Sequence, residues 1–259
     1  MNPETYHRIV DELSPVLTHV IFYFQGEPFL NHSLADMIGY AHQKRIFTST
    51  STNGHFLNDK TAQALVKSGL DKLIVSVDGV TQEVYAKYRV GGSLEKVIQG
   101  IEAIVKWKDI LKSPTPFIEL QMVVTAGNEH QITELKRLKK AIGADRYTLK
   151  PAQIYDFENG SPLIPEQKKY SRYTPIGNGK YKLKYSLPNR CLRAWSGAVI
   201  DTSGDVLPCC FDKDSSHAYG HVGAASFSAI YHNEKSNAFR SKILNDRHQF
   251  EMCRNCTGK

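Results

Sequence analysis

The first 190 residues contain no cysteine, and the whole chain has only five. An odd number of thiols gathered late in a chain does not make a disulfide framework. It points to metal ligation or free thiols. Long apolar runs are also missing. The longest in the first fifty residues is Val20 to Phe24, far too short to cross a bilayer. The N-terminus, Met-Asn-Pro-Glu-Thr-Tyr, lacks the basic-then-apolar pattern of a secretory signal. Membrane, fibrous, disordered and disulfide-scaffold classes are disfavoured, no membrane partner is expected, and the expected location is cytoplasmic. No internal repeat is present. Acids are absent between Gln167 and Arg190.

What is present is globular. The 259 residues are 41% hydrophobic and 23% charged, enough for one large domain or a medium one plus a small one. Net charge is +7, from 33 basic and 26 acidic residues. Lys168, Lys169, Arg172, Lys180, Lys182, Lys184 and Arg190 account for all of the excess. Tyr170, Tyr173, Tyr181 and Tyr185 interleave with them. Such a stretch can hold an RNA strand or an acidic peptide. Ser171, Pro175, Gly177, Asn178 and Gly179 favour a solvated connector instead, and nucleic acid is not the expected partner.

Up to about residue 155, apolar strands alternate with amphipathic helices. Asn2-Pro3-Glu4 predicts a capped helix to about Leu17. Strands are expected at His19 to Phe24, Ile46 to Ser51, Leu73 to Val77, Phe117 to Val124 and Tyr147 to Ile154. Helices are expected at Leu34 to Lys44, Asn58 to Ser68, Ser93 to Leu111 and Glu129 to Ile142. Five strands separated by helices imply a parallel α/β fold with right-handed crossovers. In such folds, ligands bind beyond the C-terminal strand ends. The expected division is a first domain over 1–157, a basic connector over 158–190 and a cysteine-rich α+β module over 191–259. In that module Thr202-Ser203-Gly204 turns a hairpin, and Asn233 to Asn245 is a helix.

Polar residues recur at the expected strand ends. Gln25-Gly26-Glu27-Pro28 follows the first strand, Thr52-Asn53-Gly54 the second, and Ser76-Val77-Asp78-Gly79 the third. Gln121 lies on the fourth, with Lys150 and Gln153 on or after the fifth. The set suits a zwitterionic nucleoside. Gly26 lets backbone approach a ligand, Pro28 fixes the next turn, Ser76 and Asp78 suit ribose hydroxyls, and Arg89 suits a carboxylate.

The second chemical signal is Cys191-x17-Cys209 with Cys253-x-x-Cys256. Four thiolates in a short module suit one 4Fe–4S cluster or a structural zinc. Cys210 is surplus. Neighbouring strand residues face opposite sides, so Cys209 and Cys210 cannot both face one centre without a kink, which Pro208 is placed to supply.

In this order, Gln-Gly-Glu-Pro, Ser-Thr-Asn-Gly and Ser-Val-Asp-Gly with Tyr85-x-x-x-Arg89 resemble the radical S-adenosylmethionine (radical SAM) enzymes over roughly residues 1 to 155. Cys191-x-x-x-Trp195, the Gly204 to Cys210 segment and the final Cys-x-x-Cys resemble the SPASM/twitch auxiliary-cluster extension in its single-cluster form. The resemblance implies a partial (β/α)6 barrel of the radical SAM type. It implies that Gly26-Glu27 holds the methionyl amine of S-adenosylmethionine, with Ser76 and Asp78 near the ribose and Arg89 near the carboxylate. It also implies one auxiliary 4Fe–4S cluster on Cys191, Cys209, Cys253 and Cys256. Gln25 stands where the family usually has Gly.

The family holds its core 4Fe–4S cluster in a Cys-x-x-x-Cys-x-x-Cys loop, which this chain lacks. The expectation is a chain that begins just downstream of that loop. It is an oxidoreductase or modifying enzyme in complete form and inactive alone. Complete, it would cleave S-adenosylmethionine reductively and abstract hydrogen from a peptide or small-molecule substrate. A reductant protein such as ferredoxin or flavodoxin would supply the electron. The alternative is a non-catalytic iron–sulfur or zinc protein on the same barrel that binds a nucleotide, peptide or RNA.

Overall fold

The computed structural model describes residues 1–256. Two compact units divide them. One contains residues 18–184, and the other joins residues 1–17 to the segment from Tyr185 onward.

The 18–184 unit is built on a five-stranded parallel sheet in the order β1-β2-β3-β4-β5. The strands are β1 (His19–Ile21), β2 (Phe47–Thr52), β3 (Lys72–Ser76), β4 (Phe117–Val124) and β5 (Arg146–Pro151). The crossovers carry α2 (Leu34–Gln43), α3 (Asp59–Lys67), α4 (Gln82–Tyr88), α5 (Leu94–Leu111) and α6 (Ile132–Ala141); α1 belongs to the other unit. Consecutive parallel order is what repeated right-handed βα units produce. The core is aliphatic. Leu73, Val75, Ile101, Ile104, Ile118, Leu120 and Met122 are completely buried.

Local signals explain the starts. Asn58 and Thr61 form a reciprocal capping box at α3, and Ser93 caps α5 through the Lys96 N–H. The strand β2 reads Phe-Thr-Ser-Thr-Ser-Thr, yet its last five residues are buried. Its hydroxyls have partners: Thr48 donates to Asp71, Thr50 to the Phe22 carbonyl and Thr52 to Glu27, and Ser49 pairs with His19.

The basic stretch is more structured than a solvated connector. The strands β6 (Tyr173–Gly177) and β7 (Lys180–Leu183) form an antiparallel hairpin. Ser171, Arg172 and Tyr173 are buried, and the Tyr173 ring stacks on Phe157 at 4.7 Å. Asn178 takes positive φ at the turn. The lysines stay on the outside, with Lys180 donating to Asn159 and Lys184 to the Lys168 carbonyl. Replacing Lys180, Lys182 and Lys184 together by Gln is expected to change unfolding free energy by less than about 1 kcal/mol, because exposed cations contribute little. Equilibrium urea unfolding checks this, and a larger loss would show the three side chains to be packed.

In the other unit α1 (Pro3–Leu13) is capped by Asn2 and buries Tyr6, Ile9 and Val10. Ile9 shares a core with Val206, Tyr219, Phe239, Ile243, Phe250 and Cys253. Arg8 donates to the Val222 carbonyl at 2.7 Å. The Glu12 carboxylate receives the Phe227 and Ser228 N–H groups. The opening helix thus packs with the cysteine-rich module, whereas the sequence reading grouped it with the first domain. The module itself has α7 (Arg193–Ser196), the sheet β8 (Val199–Ile200), β9 (Asp205–Leu207) and β10 (Gly220–His221), and helices α8 (Phe227–Tyr231), α9 (Glu234–Asp246) and α10 (Glu251–Arg254). No helix among the described residues is long and apolar enough to cross a membrane.

Candidate functional site

The parallel sheet presents its polar residues beyond neighbouring strand ends. After β1, Gly26 has φ +75°, and no other group lies within 4 Å of where a Cβ would stand. Glycine is required there by conformation, and the backbone beside it lies open. Glu27 is engaged by the protein itself. Its carboxylate accepts from the Thr52 hydroxyl at 2.8 Å, the Asn53 N–H at 2.8 Å and the Phe29 N–H at 3.2 Å. It therefore latches the loop after β1 to the end of β2. Pro28 opens a short 3-10 turn through Leu30. The Asn53 side chain accepts from the His55 N–H and so shapes the next loop.

Ser76 and Gln121 are paired in register on β3 and β4. Both are buried, and the Gln121 Oε1 has no hydrogen-bond partner. An unpaired buried amide oxygen costs stability unless something donates to it. A ribose or adenine donor is the right chemistry.

Asp78 is engaged by the protein on both of its oxygens. It is fully buried. One oxygen accepts from the Val123 N–H at 2.7 Å, and the other from the Arg89 Nε at 2.6 Å. Burial pushes its carboxyl above the usual range, and Arg89 pulls it back. The carboxylate thus holds Arg89 in place through its Nε. Spacing places Tyr85 and Arg89 on one face of the α4 turn, and Gly79 makes the approach possible. A Cβ there would lie 2.4 Å from the Tyr85 nitrogen. The sequence reading missed two amides that tie this corner. Asn128 donates to the carbonyls of Asp78 and Val123 and accepts from Thr125. Gln131 accepts from the Val80 N–H and donates to Thr81. Asn128 sits in a Gly-Asn-Glu sequence that reads as an ordinary turn, so its only signal was weak.

In the other unit, Cys191, Cys209, Cys253 and Cys256 line one hollow, walled by Ala194, Phe211, Phe239, Ile243 and Met252. Cys210 is not among its lining residues. It takes a contact from Arg193 Nη1 at 3.5 Å instead. Cys209 Sγ receives the Phe211 N–H at 3.4 Å, as a thiolate ligand would. Among the described residues no group of three or more His, Cys, Asp or Glu stands out as placed to hold a metal ion. Four thiols lining one hollow have the donor chemistry of a 4Fe–4S cluster.

Burial pushes the Cys209 thiol up to about 12 and the Cys253 thiol up to about 11, with the other thiols adding to the effect. An unfolded thiol titrates near 8.5. The fold therefore keeps these protons after the unfolded chain has lost them. Stability of the cluster-free protein is full below about pH 8.5 and falls as pH rises toward 11 and 12. Thermal unfolding of metal-free protein between pH 7 and 11 checks this. The fall should be smaller in Cys209→Ser, and a flat profile would contradict it.

Comparison with known proteins matches two segments of the chain to families. Residues 1–108 match the radical SAM superfamily, and residues 191–257 match the iron–sulfur cluster-binding domain SPASM, together well over half of the chain. A tungsten-containing aldehyde ferredoxin oxidoreductase cofactor-modifying protein of Pyrococcus furiosus is 25% identical over 99% of this chain and 79% of its own length. An S-adenosyl-L-methionine-dependent 2-deoxy-scyllo-inosamine dehydrogenase of Niallia circulans is 24% identical over 99% and 80%. The PqqA peptide cyclase of Gluconobacter oxydans is 23% identical over 81% of this chain and 61% of its own. In fold the chain resembles Streptococcus suis SuiB bound to the precursor peptide SuiA, with TM-score 0.65, 12% identity, and coverage of 98% of this chain and 63% of that one. The chain belongs to the radical SAM superfamily and carries a SPASM iron–sulfur domain, so its cofactors are 4Fe–4S clusters and S-adenosylmethionine.

Proposed function

We propose that this protein is a radical SAM/SPASM enzyme that modifies a peptide, with S-adenosylmethionine held at the strand ends of the parallel sheet. One observation carries the placement. Gln121 Oε1 is buried and unpaired beside Ser76, at the edge where Gly26 and Arg89 also lie. When bound, S-adenosylmethionine and a reduced core cluster supply a 5′-deoxyadenosyl radical that takes a substrate hydrogen. The chain's own residues orient and exclude. Loop carbonyls at Gln25 and Gly26 accept from the methionyl ammonium, Arg89 clamps the carboxylate, and Ser76 and Gln121 meet the ribose. Asp78 and Glu27 hold those groups in place. In the other unit Cys191, Cys209, Cys253 and Cys256 hold the auxiliary cluster, whose proposed role is to take the substrate's electron or to bind substrate.

The peptide class is supported by the peptide cyclase relative and by the peptide-bound neighbour. The dehydrogenase relative keeps a small molecule as the second substrate class. An acidic reductant of the ferredoxin or flavodoxin type is the proposed electron source, in a cytoplasmic setting. No cysteine precedes Cys191, so the core cluster needs thiols outside these 259 residues. Without it, rim contacts of about 1 kcal/mol each hold the cofactor weakly. The 259 residues should therefore bind S-adenosylmethionine weakly and produce no 5′-deoxyadenosine under strong reductant. A polypeptide extended upstream by a three-cysteine loop should produce it. Cleavage by the 259 residues alone would overturn this reading.

A further inference from the structure

The four thiols share their hollow with a buried cation. Arg247 follows α9, is 1% exposed and lines the same hollow as Cys191, Cys209, Cys253 and Cys256. Its Nη1 donates to the carbonyls of Pro188 and Arg190 at 3.3 and 3.2 Å. Its backbone N–H donates to Asn189 at 3.2 Å. The Nε has no hydrogen-bond partner. None of the ion pairs among the described residues includes Arg247. Burying a guanidinium without a carboxylate is costly, and among the described residues no acidic side chain pairs with it. The groups in the hollow that can become anionic are the thiols.

We propose that Arg247 is a positioning residue for the auxiliary cluster: its buried charge balances the four cysteine thiolates and raises the cluster's reduction potential. The inference rests on the four-thiolate reading of the site. A cluster on four thiolates is net negative and gains another negative charge on reduction. A fixed cation beside it therefore favours the reduced state, and weak screening in the interior strengthens the effect. Arg193 offers an internal comparison. It also lines the hollow, but it is exposed and its Nη1 points at Cys210. Water screens its charge, so it should matter less.

The test is an anaerobic redox titration of the cluster-loaded protein, followed by electron paramagnetic resonance, with Arg247→Gln, Arg247→Lys and Arg193→Gln. Both changes at Arg247 disturb the bonds to Pro188 and Arg190, but only Gln removes the charge. Arg247→Gln should lower the ratio of reduced to oxidised cluster about tenfold at fixed poise, about 59 mV for a one-electron couple. Arg247→Lys should restore most of it, and Arg193→Gln should move it far less. An unchanged potential in Arg247→Gln with the cluster retained overturns the inference alone. Equal shifts in Gln and Lys overturn it too, because a purely structural role gives that pattern. Failure of the parent protein to form a cluster overturns the four-thiolate reading and the inference with it. If neither Arg247 variant folds, arginine-labelled (15N) Arg193→Gln protein decides. Pulsed resonance of its reduced cluster should show coupling to an arginine nitrogen, and none would overturn the inference.

Discussion

Replacing Cys209 by Ser should strip the cluster from the protein, and replacing Cys210 by Ser should leave it in place. Iron after anaerobic reconstitution should fall from about four to below about one per chain in the first variant and stay near four in the second. The two residues are adjacent and chemically identical, so the difference is one of direction. The strand β9 ends at Leu207, and Pro208 then turns the chain. Cys209 faces the hollow with Cys191, Cys253 and Cys256, whereas Cys210 meets Arg193. A serine hydroxyl in an apolar wall is a poor iron ligand, because it does not ionise as a thiol does. Both variants should keep the fold, since each change is small in volume. Loss of iron from the Cys210 variant with retention in the Cys209 variant would invert the ligand assignment. Equal retention in both would mean that neither thiol is required.

The second large effect concerns Arg89 and Asp78. On a polypeptide carrying the three-cysteine loop and its cluster, Arg89→Ala should weaken S-adenosylmethionine binding by roughly tenfold to a hundredfold. This is the worth of a charge-assisted contact of about 1.5–3 kcal/mol. Asp78→Asn should weaken binding nearly as much without touching the ligand. The Asn amide has one oxygen for two donors, the Arg89 Nε at 2.6 Å and the Val123 N–H at 2.7 Å, so its NH2 would oppose one of them and loosen the hold on Arg89. If Asp78 acts only through Arg89, the double variant should bind no worse than Arg89→Ala. Additive losses would show that Asp78 meets the ligand directly. Stability should respond as well. Burial raises the Asp78 pKa despite Arg89, so the fold holds the ionised form at a cost. That cost is present at neutral pH and relieved as pH falls through the raised value. Asp78→Asn should remove that pH dependence, but its buried donor-against-donor contact should lower the midpoint of thermal unfolding at neutral pH.

The fold was legible where the sequence repeats with a period. The strand Phe117–Val124 falls where its apolar run predicts, and α5 follows its 3.6-residue pattern between Ser93 and Leu111. Asn58 announced α3 because its side chain satisfies helix N–H groups that nothing else can reach. The helix α4 was missed because its seven residues hold too few apolar positions to show a period. The hairpin β6–β7 was missed because lysines cover its outer side, while its anchors, Tyr173 and Leu183, pack on Phe157 and Ile164 in the irregular segment just before it, which has no period to read. For α1 the pattern gave an apolar face but not its partner. Ile9 packs with Phe239 and Ile243, more than two hundred residues away.

The site was legible as residue types and less so as roles. Gly26, Arg89 and Gln121 have the freedom or the unpaired atoms that ligand contacts need. Glu27 and Asp78 look like ligand groups in sequence but are consumed by backbone N–H groups and by Arg89. A carboxylate at a strand end can face a ligand or brace a neighbour, and composition does not distinguish the two. Arg247 gave no signal at all. Its place in the hollow depends on the turn after α9 and on the carbonyls of Pro188 and Arg190.

The most direct test of the account is metal analysis with Mössbauer spectroscopy of the 259-residue chain reconstituted anaerobically with iron-57 and sulfide. The account predicts about four irons per chain in a single diamagnetic 4Fe–4S cluster, lost in Cys209→Ser. Tight binding of a single zinc with exclusion of iron would contradict it.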